Sequence, residues 1–256
     1  MLKKRLILCL LLKKDIFANS RNFNLQLVGN LETIAQYLNF DAIDELVLLE
    51  VSRDKRDMQK LSENIMELTK KCFIPITVGG GVSSICDIKL LLKSGADKVV
   101  INTTAIENPG FITEASKIFG SQCIVVSIDV KKNKEGKYEV YSHNGQKNTG
   151  KELIEWAKEV EKLGAGELFL TSIDKDGAGS GYDLELIKNV SEAVTIPVIA
   201  SGGVGKFQHL VDGIKEGNAS AVSAANLFHF IGDSLIKAKI YVQSKGLDFP
   251  HTLWNF

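Results

Sequence analysis

The feature that most constrains the fold of this chain is an internal repeat with an offset of 122 residues. The segment FIPITVGGGV at 73–82 matches TIPVIASGGV at 195–204, and DELVLLEV at 44–51 matches GELFLTSI at 166–173. Short apolar runs and glycine turns recur in the same order in both copies. A repeat of this length indicates duplication of a half-domain rather than a solenoid of small units.

A third matched pair differs at one chemically decisive position. CLLLKK at 9–14 matches SIDVKK at 127–132 with an offset of 118 residues, and an insertion within 131–140 accounts for the four-residue difference. Asp129 in the second copy therefore corresponds to Leu11 in the first. The duplication has kept a carboxylate in one half and has an aliphatic side chain in the other.

Short apolar runs alternate with amphipathic segments along the whole chain. The runs are nearly continuous in Val, Ile and Leu, which is typical of parallel strands buried on both faces. Strands are predicted at 5–11, 45–51, 75–79, 97–102, 123–129, 167–172, 196–200 and 219–224. Helices are predicted near 31–39, 55–71, 84–94, 110–119, 150–163, 184–193, 206–216 and 232–245.

Eight strand–helix units predict an α/β fold of one kind, a (β/α)8 TIM barrel built from two duplicated half-barrels. We expect it to be a single domain over 1–256, with 246–256 as a C-terminal tail. Asn108-Pro109 and Thr149-Gly150 have the composition of helix starts. A doubly wound open sheet is the main alternative, but its G-x-G-x-x-G fingerprint does not follow the first strand.

Composition excludes several classes of function. Lys plus Arg and Asp plus Glu both number 31, so nothing predicts a nucleic-acid or acidic-membrane partner. No apolar stretch is long enough to span a membrane, and the apolar run near the N-terminus reads as a buried strand rather than a signal peptide. The four cysteines lack CxxC spacing, which favours buried free thiols in a reducing, cytoplasmic location. The four histidines show no metal-ligand spacing, so neither a metal nor another cofactor is expected.

Glycine turns mark candidate phosphate sites at the carboxyl ends of the strands, where barrel active sites lie. Gly80-Gly81 and Gly202-Gly203 are equivalent under the repeat, and glycine lets backbone N–H groups approach an anion closely. Two matched turns predict two phosphate sites on opposite sides of the barrel mouth. The next strands end at Asn102-Thr103 and at Ala225-Asn226, where a phosphate is also expected to bind. The alternative is that these glycines only form tight turns.

Carboxylates at strand ends are the candidates for proton transfer and substrate binding. Asp129 is a candidate general acid or base, since burial near apolar walls tunes a carboxyl pKa; the alternative is an ion pair with a neighbouring lysine. Asp176 and Gly177, in the loop after the sixth strand, are predicted to bind substrate together with Thr171. Asp174 in the same loop is equally consistent with a role in stabilising the turn.

Four charged residues stand where strands begin, at the opposite end of the predicted barrel. Two are cationic and two anionic, and they are Arg5, Glu45, Lys98 and Glu167. They are expected to form a ring at the bottom of the barrel, either as ordinary salt bridges or as a gate into its bore.

Taken in order, these motifs resemble the cyclase subunit of imidazole glycerol phosphate synthase, the HisF family. The similarity covers about residues 2–245, and FIPITVGGGV, SGADKVVIN, TSIDKDGAGSGYDLEL and IPVIASGGVG carry it. The resemblance implies a barrel that pairs with a glutamine amidotransferase, the HisH-like glutaminase. Ammonia released by that partner crosses the bore through the four-residue gate and attacks a phosphorylated small-molecule substrate. The resemblance also implies that Asp97 faces the partner.

The sequence departs from the family pattern at the mouth. The resemblance implies two catalytic aspartates; Asp129 matches one, and Leu11 replaces the other. Asn19 occupies the place of a family lysine near a phosphate, where Arg21 is a candidate substitute. After the second strand the chain adds Arg53, Lys55 and Arg56, which are expected to suit a larger anionic substrate.

Three functions follow from this combination. The first resembles a side branch of the family: an ammonia-delivering subunit for amidination of a nucleotide-linked sugar in surface glycan biosynthesis, working with a glutaminase and a third enzyme, a sugar amidotransferase. The second is a cyclase of histidine biosynthesis that tolerates Leu11. The third is a non-catalytic activator of the glutaminase.

Overall fold

Parallel strands with helices between them form the frame of the molecule. In the computed structural model, the residues described are 3–30, 42–54, 56–225 and 234–250. The strands in chain order are β1 (Arg5–Lys13), β2 (Ile16–Arg21), β3 (Asn24–Asn30), β4 (Glu45–Glu50), β5 (Ile76–Gly79), β6 (Lys98–Ile101), β7 (Ile124–Lys132), β8 (Tyr138–Ser142), β9 (Lys147–Glu152), β10 (Glu167–Ser172), β11 (Val198–Ser201) and β12 (Ala221–Ala224).

Helices follow most of the barrel strands and cover the outside of the sheet. Within the described ranges they are α1 (Met58–Thr69), α2 (Ile85–Lys93), α3 (Thr103–Glu107), α4 (Gly110–Phe119), α5 (Leu153–Lys162), α6 (Leu184–Ala193), α7 (Phe207–Lys215) and α8 (Ser234–Ser244), with a 3-10 turn at Ser121–Cys123. The helix expected near 31–39 lies outside the described residues. None of the described helices is both long enough and apolar enough to cross a bilayer.

The eight predicted strands close into one barrel. The order is β1, β4, β5, β6, β7, β10, β11, β12 and back to β1, and every one of these pairings is parallel. Closure requires the first strand to pair with the last, as Arg5 does with Ala221. The predicted (β/α)8 fold is therefore confirmed, and the open-sheet alternative is wrong.

A two-residue side-chain period separates an inner from an outer core. On β1, the side chains of Leu6, Leu8, Leu10 and Leu12 pack in the outer core beneath the helices, whereas Ile7 and Cys9 face the bore. The inner core consists of Ile7, Cys9, Val47, Val100, Val125, Phe169, Ile199 and Ala221, with Leu11 and Leu49 packed against it. The bore is therefore mainly apolar through its middle layer, with buried Ser223 beside Ile7 as a polar exception.

Two antiparallel hairpins, which sequence reasoning missed, stand on the mouth of the barrel. The pair β2–β3 follows β1, and the pair β8–β9 follows β7. The two carrier strands are equivalent in the repeat, so each half-barrel has one hairpin. The insertion predicted within 131–140 belongs to the second of them. Thr149-Gly150 is not a helix start, because both residues lie in β9 and Glu152 caps α5 by accepting from the Glu155 N–H.

A capping box fixes the helix that follows the first glycine turn. The Ser84 hydroxyl accepts from the Asp87 N–H at 3.1 Å, and the Asp87 carboxylate accepts from the Ser84 N–H at 2.9 Å. Replacing Ser84 with alanine is expected to cost about 1 kcal/mol and to lower the Tm by about 2–4 °C in a chain of this size. Scanning calorimetry measures the shift. Lys89→Ala, on the exposed face of the same helix, is the control, and an equal shift in both variants would contradict the capping role.

Candidate functional site

A cavity opens at the carboxyl ends of the barrel strands, and we call it the mouth cavity. Its walls come from strand ends, glycine turns and both hairpins. The residues lining it include Leu11, Phe23, Leu25, Leu49, Glu50, Arg53, Arg56, Gly80, Gly81, Asn102, Thr103, Asp129, Asn144, Thr171, Asp176, Gly177, Gly202, Gly203 and Ala225. All predicted phosphate- and substrate-binding residues are thus brought together, except Asn226, which lies outside the described residues.

Asp129 is a buried carboxylate in the wall of this cavity. Its Oδ1 accepts from the Ser127 hydroxyl at 3.1 Å, and its Oδ2 accepts from Asn102 Nδ2 at 3.2 Å. Burial raises the pKa of Asp129 to about 7; the Ser127 hydrogen bond opposes this shift, and the charge of Asp176 adds to it. A carboxyl that titrates near neutrality is suited to exchange protons with a ligand. No ion pair with Lys131 or Lys132 forms.

Asp129 lies within its strand rather than at the strand's end. β7 continues to Lys132 because β8 pairs with it, with Asp129 opposite Tyr141. β1 likewise continues past Leu11 to Lys13, because β2 pairs with it. The hairpins therefore extend both carrier strands beyond the predicted ends at 129 and 11.

Leu11 faces the bore and lines the mouth cavity. It follows Ile7 and Cys9 at the two-residue period of β1 and packs against the inner core. Its strand neighbour Leu49 lines the same cavity. This wall is therefore aliphatic, and the position equivalent to Asp129 holds no group that exchanges a proton.

Asp176 binds the tip of the first hairpin. Its Oδ2 accepts from the Ser20 hydroxyl at 2.5 Å and from the Phe23 N–H at 3.0 Å. Burial raises the pKa of Asp176, and those two hydrogen bonds oppose the shift. Gly177 allows this contact, because its φ is +65° and a methyl group there would lie 2.1 Å from the Ser20 carbonyl oxygen. Asp174, in the same loop, accepts from the Lys132 N–H at 2.8 Å, which supports the interpretation that it stabilises the turn.

Both glycine turns require glycine for steric reasons. Gly80 has φ +112°, and a methyl group there would lie 2.1 Å from the Glu50 carbonyl oxygen. Gly202, its equivalent in the repeat, has φ +91°, and a methyl group there would lie 2.7 Å from the Ser172 carbonyl oxygen. The two halves therefore hold equivalent close approaches of backbone to backbone. These steric requirements explain why glycine forms both turns, and the binding of phosphate there stays a prediction.

Asn102 has a role that the sequence did not reveal. Besides Asp129, its side-chain amide binds the Ser127 carbonyl oxygen at 3.1 Å, so it ties the end of β6 to β7 and orients the acid. Thr103 accepts from the His143 N–H at 3.2 Å and so touches the second hairpin. Thr171 lies beside Asp129 in the register of β10 with β7.

The four charged residues predicted for the bottom of the barrel form a closed ring there. Each is the first residue of its strand, and the members are Arg5, Glu45, Lys98 and Glu167. Arg5 pairs with Glu45 at 2.6 Å and with Glu167, while Lys98 pairs with Glu45 at 3.1 Å and with Glu167 at 3.0 Å. The Thr77 hydroxyl donates to Glu45 at 2.5 Å. Both cations bridge both anions, so the ring carries no net charge and stands below the apolar bore.

The other predicted residues take separate positions. Asp97 is exposed at the bottom of the barrel, where Oδ2 accepts from the Ile76 N–H at 2.8 Å. Asn19 is buried in β2, and Arg21 is exposed and does not line the mouth cavity. Arg53 and Arg56 do line it, and Lys55 lies outside the described residues.

Of the four cysteines, only Cys9 and Cys72 are buried, so the prediction of buried thiols is wrong for Cys86 and Cys123.

One protein-family model matches most of this chain. The model of the family described as "Histidine biosynthesis protein" covers residues 5–232 of the chain. The chain belongs to this family. Membership in the histidine biosynthesis family, together with the closed barrel, supports a HisF- or HisA-like barrel enzyme. Within the described residues, no three His, Cys, Asp or Glu side chains are grouped as a metal site would need.

Proposed function

We propose that this chain is a HisF-like synthase subunit that receives ammonia from a glutaminase partner and delivers it through the barrel to a phosphorylated substrate. The substrate we propose is a nucleotide-linked sugar that becomes amidinated in surface glycan biosynthesis. The observation that carries this proposal is Leu11. It faces the mouth cavity where the equivalent strand of the other half-barrel presents Asp129.

Ring closure in the cyclase reaction, as implied for the family, relies on two aspartates. An aliphatic side chain neither gives nor takes a proton, and loss of an acid–base group costs about 10²–10⁴ in rate. Asp176 shares the cavity, but its carboxylate is engaged by Ser20 and by the Phe23 backbone. A changed acceptor reaction fits this arrangement better than an unchanged one.

The route for ammonia supports the same proposal. The bottom ring joins Arg5, Glu45, Lys98 and Glu167 without an excess charge, and apolar side chains line the bore above it. Neutral ammonia passes such a layer more readily than a hydrated ion does, because desolvating a charge is costly. In this proposal the glutaminase docks at the bottom of the barrel, near Asp97, and the third enzyme takes the ammonia at the mouth. We place the complex in the cytoplasm.

A second candidate function is a cyclase of histidine biosynthesis. The observation that favours it is Asp129, whose pKa of about 7 suits acid–base chemistry without help from position 11. A third candidate, a non-catalytic activator of the glutaminase, needs no transport through the bore.

An assay of purified protein with ammonium salt and the bis-phosphate ribonucleotide of the histidine pathway separates the first two functions. We expect turnover about 10²–10⁴ below that of a family cyclase with both aspartates. Leu11→Asp restores a carboxylate at that place and is expected to raise the rate, whereas Leu11→Asn is the matched control without an ionisable group. Wild-type turnover equal to that of the two-aspartate enzyme contradicts the proposal.

A further inference from the structure

We infer that Arg56 and the first glycine turn form a paired anion site for a diphosphate ester such as a nucleoside diphosphate. This inference rests on the proposed function and names the ligand class of the same mouth cavity. The added basic residues after β4 suggested only a larger anionic substrate. The structure identifies which of them lies at the turn and how it is held.

The side chain of Arg56 is held in place by neutral acceptors. Its Nε donates to the Ser52 carbonyl oxygen at 3.0 Å, and its Nη2 donates to Asn144 Oδ1 at 2.9 Å. Asn144 is at the tip of the second hairpin and also donates to the Val51 carbonyl oxygen at 3.0 Å. The guanidinium therefore spans from the end of β4 to the hairpin above it, and its orientation is fixed before any ligand arrives.

The charge of Arg56 has no ion-pair partner within the described part of the chain. Its hydrogen bonds go to a carbonyl and an amide, and Glu50, whose charge acts on Arg56, is engaged by the Ser52 N–H at 2.6 Å and the Lys14 N–H at 3.0 Å. Arg56 is half-buried in the cavity wall, and burial lowers its pKa against the effect of the Glu50 charge. A partly desolvated cation without an ion-pair partner favours binding of an anion.

The free edge of Arg56 lies against the first glycine turn. A methyl group placed on Gly81 would be 2.6 Å from Arg56 Cδ and 3.3 Å from Nη1, and Nη1 is the guanidinium nitrogen with no hydrogen-bond partner among the described residues. A phosphate held by the backbone of Gly80-Gly81 would therefore have a forked cation directly beside it. Two anion-binding groups side by side suit two linked phosphates, and an arginine fork matches phosphate oxygens in geometry.

The second glycine turn is built differently. Lys175, which corresponds to Arg53 in the repeat, lies there with Cβ 3.1 Å from a methyl group placed on Gly203. Arg56 itself corresponds to Ala178, so the second turn has no equivalent fork. The asymmetry places the diphosphate at the first turn. Apolar side chains that line the same cavity, Phe23 and Leu25, offer packing for the organic part of the ligand.

Calorimetric titration of the isolated barrel with inorganic pyrophosphate and with orthophosphate tests the inference. We expect wild type to bind pyrophosphate at least about tenfold more tightly than orthophosphate, because charge-assisted contacts to the second phosphate add to those of the first. Arg56→Gln is expected to remove most of that preference and to leave orthophosphate affinity nearly unchanged. Arg56→Lys, which keeps the charge without the fork, is expected to give an intermediate ratio.

Lys175→Gln is the matched control, since it removes a half-buried cation beside the other glycine turn and is expected to leave the ratio unchanged. Equal affinity of wild type for both anions overturns the inference, and this result does not depend on any variant folding. An equal loss of pyrophosphate preference in Arg56→Gln and Lys175→Gln also overturns it, because a general charge effect would then explain the binding. The titration needs no glutaminase, so its outcome is independent of whether ammonia is delivered.

Discussion

Filling the bore at Ala221 with phenylalanine is expected to abolish glutamine-dependent amidination of the sugar while leaving the glutaminase active. Ala221 is fully buried in the inner core, on the strand that closes the barrel against β1. A benzyl side chain at this position projects into the bore, where the opposing walls carry Val47, Val100 and Phe169. Ammonia made below the ring would then have no path to the mouth cavity.

The measurement is made in cells that lack the native gene and carry the variant, with amidinated sugar in the surface glycan quantified by mass spectrometry. Glutamine hydrolysis is measured on the purified complex. Val222→Phe is the matched control, because the next residue on the same strand packs in the outer core beneath the helices. Both changes overpack a core and cost about 1–3 kcal/mol, but only Ala221→Phe fills the bore.

The same pair of variants separates a conduit from an activator. If the barrel conducts ammonia, Ala221→Phe loses the amidinated sugar but still hydrolyses glutamine. If the amidinated sugar persists in Ala221→Phe cells at the level seen in Val222→Phe cells, ammonia does not travel through the barrel, and the activator function is the better account.

Replacing Asp129 with asparagine is expected to stabilise the protein at alkaline pH and not at acidic pH. The folded-state pKa of Asp129, about 7, lies above its ordinary value of 3.8, because burial disfavours the charged form. Between these values the folded chain holds a proton that the unfolded chain has released. The contribution of Asp129 to wild-type stability therefore falls as the pH rises from about 4 to about 7, by up to roughly 4 kcal/mol, and is flat above that.

Asparagine does not ionise, so the variant avoids this loss. Its amide oxygen still accepts from Asn102, and its amide N–H groups replace the acceptor with a donor toward the Ser127 hydroxyl, which accepts as well as donates. Urea unfolding is measured at about pH 4.5 and at about pH 8. The stability difference between variant and wild type is expected to grow by roughly 2–4 kcal/mol between the two conditions.

Asp54→Asn provides the comparison, since Asp54 is exposed and its replacement removes the same charge from the surface. A difference that is the same at both pH values for Asp129→Asn would mean that the buried carboxyl does not titrate near neutrality. In that case Asp129 would not be suited to acid–base chemistry near neutral pH, and the argument for the cyclase function would fail.

The barrel strands were predictable because each is a short apolar run with a fixed side-chain period. The hairpins were not, because β3 and β9 are largely exposed and β9 is polar, so neither strand has the buried apolar run that marks the barrel strands. Thr149-Gly150 was wrongly predicted to start a helix, because a Thr-Gly pair before a helix occurs equally well at the end of a polar strand such as β9. The eight barrel strands are buried on both faces of the sheet, so each is a nearly continuous apolar run that the sequence shows.

Site residues divide in a similar way. Asp129 was predictable from the repeat and from the apolar run that precedes it, and the ring was predictable from charged residues where strands begin. The bond from Asn102 to Asp129 and the contact from Arg56 to Asn144 were not, since each joins residues that only barrel closure brings together, 27 and 88 positions apart. Pairwise contacts of this kind depend on register and strand tilt, which periodicity does not encode.

The paired hairpins have a consequence for how such a protein can change over time. Each half-barrel supplies its own rim to a shared opening, so a substitution in one copy leaves the other copy's chemistry intact. Substitutions at the first hairpin can therefore alter one wall of the mouth cavity while the second hairpin and the bore beneath both keep their side chains. Duplication inside a single chain thus gives this barrel two hairpins that differ in chemistry on one shared frame.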